Sequence, residues 1–66
     1  MTEELFQKTD AETGFTVSVT GEEGSRRFSI QVTEPNAWTD AEVEGSLEEA
    51  ISIADDMLAV AKKAAA

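Results

Sequence analysis

Two short runs decide most of what this chain can become. Phe15-Thr16-Val17-Ser18-Val19-Thr20 sets Phe15, Val17 and Val19 at every second position with hydroxyl residues between them, and Arg27 to Thr33 repeats the alternation with Phe28, Ile30 and Val32. A period of two is the pleat of a half-buried strand, whose successive side chains point to opposite faces. Opposing Val19 to Phe28, Val17 to Ile30 and Phe15 to Val32 predicts an antiparallel hairpin closed at Glu23-Gly24, where glycine supplies the positive φ of a tight turn. All six apolar side chains then share one face. A lone hairpin is marginal in water, so a further element must cover that face.

The cover is readable from Ser46 onward. Ser46 followed three residues later by Glu49 is a capping box, in which the serine hydroxyl accepts from the N3 amide and the glutamate accepts from the N-cap amide. Leu47, Ala50, Ile51, Ala54, Leu58 and Ala61 recur at helical spacing, with Glu48 and Glu49 in the first turn and Lys62 and Lys63 in the last, as the helix dipole favours. The predicted helix spans about residues 47 to 63, with its core face around Leu47, Ile51, Ala54 and Leu58. Between hairpin and helix, Pro35-Asn36 marks a turn. Ala41 and Val43, alternating with Asp40, Glu42 and Glu44, predict a short edge strand whose outward acids discourage aggregation. Residues 1 to 13 fit either a short strand or a turn of helix, anchored by Leu5 and Phe6. The expected fold class is α+β, a small antiparallel sheet of two or three strands packed by one C-terminal helix, within one small acidic domain spanning residues 1–66.

Size and charge then narrow the function. A chain of 66 residues buries only about 60% of its unfolded surface, and such folds often lean on a partner. The absence of cysteine removes disulfides and thiolate metal sites. The first twenty residues lack the basic and apolar regions of a signal peptide, and no run approaches the roughly 20 apolar residues of a membrane span, so the expectation is a cytoplasmic protein without membrane contact. Fourteen acidic against five basic residues give a net charge of −9, which disfavours direct binding to nucleic acid or anionic lipid. No Lys or Arg occurs between Phe28 and Ala61, where eight acids lie.

Catalytic and metal chemistry find little footing. There is no His, Cys or Tyr, and a chain this short offers no evident cleft for carboxylates to work in, so no catalytic residue and no cofactor are expected. Asp40, Glu42, Glu44, Gly45, Leu47 and Glu48 fall on positions 1, 3, 5, 6, 8 and 9 of a calcium loop. The twelfth position, which should carry a bidentate glutamate, is Ile51, so no metal site is expected.

Interaction surfaces remain. Ile53, Met57 and Val60, with Ala64, widen the apolar arc of the helix to about half its circumference. Either Leu5 and Phe6, or Trp38, pack over that flank, or it is a self-association surface; both readings stand on the sequence. Trp38 is expected to plug the edge of a thin core, the alternative being an exposed binding anchor. Asp40, Glu42, Glu44, Glu48, Asp55 and Asp56 are expected to form one acidic surface. On an edge strand the first three would project at intervals of roughly 6 to 7 Å, similar to the phosphate repeat of a nucleic-acid strand.

Gly45-Ser46-Leu47-Glu48-Glu49-Ala50, between a short strand and an amphipathic helix, resembles the N-terminal domain of HicB-like antitoxins, whose pattern runs Gly-Asp/Ser-x-x-Glu-Ala into a helix behind a three-stranded sheet. The resemblance covers about residues 41 to 61 and implies neutralisation of a small RNA-cleaving toxin. The strand-strand-strand-helix order is also similar to double-stranded RNA-binding domains, with Glu48 and Glu49 standing where that family has a basic helix start. The expected function is therefore a small acidic, non-enzymatic module that docks on and inhibits a basic, nucleic-acid-binding partner protein or nuclease, as anti-CRISPR, anti-restriction and antitoxin-like accessory proteins of phages and plasmids do. The alternative is a structural or assembly subunit, a homodimer among the options, held by Ile53, Met57 and Val60.

Overall fold

Residues 2–65 are described by a computed structural model of the chain. Four strands, β1 (Glu3–Thr9), β2 (Thr16–Gly21), β3 (Arg27–Glu34) and β4 (Ala37–Glu44), precede one helix, α1 (Leu47–Ala65). Every strand pairs antiparallel with its neighbour in sequence, in the spatial order β1-β2-β3-β4. The α+β class holds, but the sheet has four strands rather than two or three.

The extra strand is β1, and a bulge is why its period was invisible. Glu4 pairs with Thr20 and Phe6 with Val19, leaving Leu5 as an inserted residue. Strict alternation would turn one of two adjacent apolar residues to solvent, whereas the bulge lets both Leu5 and Phe6 pack against the core. Their anchoring role is as expected, in strand form.

The β2–β3 hairpin presents the predicted face in a different register. Phe15, Val17, Val19, Phe28, Ile30 and Val32 are all buried, yet Val19 lies opposite Ile30, Val17 opposite Val32, and Gly21 opposite Phe28. A shift of two residues keeps each side chain on its face, so alternation alone could not distinguish the two pairings. Gly21 favours the observed one. A Cβ there would lie 2.7 Å from the Phe28 ring, so only glycine leaves room for the phenylalanine. The connection is consequently longer than a two-residue turn: Ser25 N–H donates to Glu22 O (3.0 Å) around Gly24 at φ 84°, and the Ser25 hydroxyl accepts from Arg27 N–H (3.0 Å).

Helix α1 lies across β2 and β3. Its contact face is Ala50, Ala54 and Leu58, all buried, while Leu47 is at the rim with 36% exposure. Two alanines at the centre let the helix approach the Val- and Ile-covered sheet closely, which turns the contact face away from the predicted Leu47–Ile51 line. The capping box forms as expected, Glu49 N–H donating to Ser46 Oγ and Ser46 N–H to Glu49 Oε1, each at 3.1 Å. Those hydrogen bonds, led by the Ser46 amide, hold the Glu49 carboxyl below its ordinary value. Gly45, at φ 150°, makes the strand-to-helix corner in a region that other residues rarely adopt. Among the described residues, no helix is long and apolar enough to cross a membrane.

Candidate protein interface along the β4 edge

The two flanks of α1 differ. Towards β1 the helix is fastened: Lys8 Nζ donates to Asp55 Oδ1 at 3.2 Å, and Lys62 Nζ to Asp10 Oδ1 at 2.9 Å. Asp10 Oδ2 also accepts from the Thr13 amide (2.9 Å) and hydroxyl (2.7 Å). Hydrogen bonds from Thr13 and then Lys62 lower the Asp10 carboxyl to about 2, and Asp10 in turn raises Lys62.

Towards β4 the helix is open. Ile53, Met57, Val60, Ala61 and Ala64 face Val32 and Thr39 across a groove of about 410 Å³, with Glu34 and Asp56 among its lining residues. Neither expected cover is there. Leu5 and Phe6 belong to β1, at the far edge of the sheet from β4. Trp38 pairs with Thr33, one residue out of step with the buried Val32, and so stands on the sheet face away from the helix with 64% of its surface exposed. The Pro35-Asn36 turn fixes this parity, since Glu34 opposite Ala37 leaves Trp38 no inward position. The plug reading of Trp38 is thereby overturned. Ile53 and Val60 remain 38% and 67% exposed.

The six predicted acids do not form one surface. Asp40, Glu42 and Glu44 are together, aligned with Gln31, Ser29 and Arg27 on the outer face of β4. Arg27 Nε approaches Glu44 Oε2 at 3.7 Å across the strands; two such exposed groups contribute little stability. Asp56 lines the groove on the other side of the sheet. Glu48 stands exposed in the first turn of α1. Asp55 is on the β1 flank with Lys8, because the neighbouring positions 55 and 56 are about 100° apart on a helix.

Residues 40–51, which could be aligned with a calcium loop, are here the end of β4, a two-residue corner and the first turn of α1. Among the described residues, no group of three carboxylates is arranged to hold a metal ion. No protein-family model, curated protein or solved structure matches the chain. Val32, Thr39 and Glu34 complete the groove but were not candidates from sequence. Their role depends on which strands the helix covers, for which the linear pattern carries no signal.

Proposed function

We propose that this chain is a small, non-enzymatic protein-binding module that docks through its β4 side onto a basic partner, of the nucleic-acid-binding kind, and occludes that partner's nucleic-acid surface. The observation that carries the reading is the uncovered apolar groove between α1 and β4 in a chain of net charge −9. Apolar area beside carboxylates is what a basic protein surface with apolar centres complements, the charge guiding encounter and the groove supplying residence. Asp40, Glu42 and Glu44, projecting from one strand at two-residue intervals, would take the place of the phosphates of a bound strand. Trp38, exposed beside them, is an anchor of the type enriched at interface centres. The antitoxin-like resemblance over about residues 41 to 61 would be one instance of this class.

Affinity capture at low salt tests the reading. The chain should retain basic nucleic-acid-binding proteins, release them as salt is raised, and block their nucleic-acid binding once they are purified. A variant carrying Asp40→Asn, Glu42→Gln and Glu44→Gln, checked for folding by circular dichroism, should lose that inhibition. Inhibition that is untouched in the folded variant would remove the proposal. A second reading, self-association, is favoured by the exposure of Ile53 and Val60. It predicts concentration-dependent sedimentation that salt strengthens, and Ile53→Glu should abolish it.

A further inference from the structure

The hydrogen-bonding parity of β4 gives the docking side a more specific character. Gly45 N–H donates to Arg26 O at 2.8 Å, and Arg26 and Gly45 continue the pairing of Arg27 with Glu44. In an antiparallel ladder, hydrogen-bonded pairs alternate with non-bonded ones. The bonded pairs of the β3–β4 ladder are therefore Phe28 with Val43, Ile30 with Ala41, Val32 with Thr39 and Glu34 with Ala37. The amides and carbonyls of Trp38, Asp40, Glu42 and Glu44 point out of the sheet at its open edge. These four residues also carry the outer-face side chains. On the inner face the space next to β4 is the groove under Ile53, Met57 and Val60, which the helix leaves uncovered.

We infer that the open edge of β4 accepts an antiparallel strand from its partner, a segment in which Lys or Arg alternates with apolar residues. Its basic residues would lie opposite Asp40, Glu42 and Glu44, exchanging backbone hydrogen bonds with them. Its apolar residues, one step out of phase, would enter the groove. The inference rests on the proposed docking to a basic protein and specifies how it occurs. Charge selects the occupant. A second copy of β4 added antiparallel would set Asp40, Glu42 and Glu44 against one another, and like charges directly opposite destabilise a pair, whereas a basic strand makes the same positions favourable. Trp38 adds a ring face on which a terminal Arg or Lys of the incoming strand can rest.

The probe is a synthetic peptide matched to the 8 residues of β4, alternating Lys and Val, with a peptide of the same composition in two blocks as its comparator. Binding is read by NMR at low salt, with amide hydrogen exchange followed residue by residue. The alternating peptide should slow exchange at Trp38, Asp40, Glu42 and Glu44, and shift the resonances of Ile53, Met57 and Val60. Methylating the Lys amides of the peptide should weaken binding at least about tenfold, because each lost hydrogen bond is worth roughly a factor of five. Methylating the Val amides, which point away from β4, should leave it within about twofold. Glu42→Pro should block addition from the protein side, since the Glu42 N–H makes no bond to β3. Should that variant not fold, the methylated peptides still decide. No binding by the alternating peptide, equal binding by the block peptide, or indifference to which amides are methylated overturns strand addition. Salt-sensitive binding that ignores amide methylation would do so while leaving charge-guided docking intact, and loss of salt sensitivity would remove both.

Discussion

Gly21 and Asp10 show how single residues set the geometry on which the rest depends. Gly21 sits within β2 because Phe28 occupies the space above it, and a methyl group there would meet the ring at 2.7 Å and the Arg27 carbonyl at 3.1 Å. Gly21→Ala is expected to destabilise by about 1 to 3 kcal/mol, the usual range for overpacking, measured by urea denaturation; an unchanged midpoint would show that Phe28 moves aside freely. Asp10 joins the β1–β2 loop to the end of α1. Its carboxyl is lowered from 3.8 to about 2, so the folded state favours the ionised form. The resulting stabilisation is complete above the ordinary value and is lost as pH falls through about 2. Lys62, raised above its ordinary 10.5, contributes fully below that value and loses its contribution only as pH rises through its folded value. Asp10→Asn should therefore lower the thermal midpoint near neutral pH, and the gap from the unsubstituted protein should close between about pH 4 and 2. A gap independent of acid pH would mean that the pair does not hold the loop.

Elements were legible where a short stretch carried its own pattern. The faces of β2 and β3, the Pro35-Asn36 turn and the capped helix were all legible, because each rests on a period or a cap contained within a few residues. Ser46→Ala tests the cap, with an expected loss of about 1 kcal/mol and fraying of the first turn visible in amide exchange. The features that escaped depend on which residues a segment meets once it is paired, and not on its own period. Thr-Asp-Ala-Glu occurs twice, at 9–12 and 39–42. The first copy leaves β1 for a turn and the second lies wholly within β4. What differs is the continuation: Thr13-Gly14 supplies a hydroxyl for Asp10 and a φ of 76°, while Val43-Glu44 prolongs the alternation. Likewise, the β2–β3 register depended on the Phe28 ring meeting Gly21, and the inward or outward position of Trp38 depended on pairing parity. For the candidate site, the acidic alternation of β4 and the excess apolar flank of α1 were each readable. Their placement on opposite faces of one edge strand, with Asp55 drawn away to Lys8, was not.

At the scale of the whole molecule, charge and topology act together. A net charge of −9 on a body of 36 × 19 × 17 Å repels itself, and mobile ions screen that repulsion over about 10 Å at 0.1 M salt. Added sodium chloride should accordingly raise the thermal midpoint while weakening capture of a basic partner. A midpoint that falls with salt would place the stabilising ion pairs above the repulsion. The sequential sheet order has a kinetic consequence as well. No strand waits for a distant segment: the β1–β2, β2–β3 and β3–β4 connections leave six, five and two residues outside the strands, taken from the strand limits, and the longest closure is the return of α1 onto β2 and β3. Loop-closure entropy is correspondingly small, and refolding from urea should be a single exponential on the order of milliseconds. A sheet whose neighbours in space are its neighbours in sequence can pair strand by strand as the chain is synthesised, each new strand meeting the one made just before it.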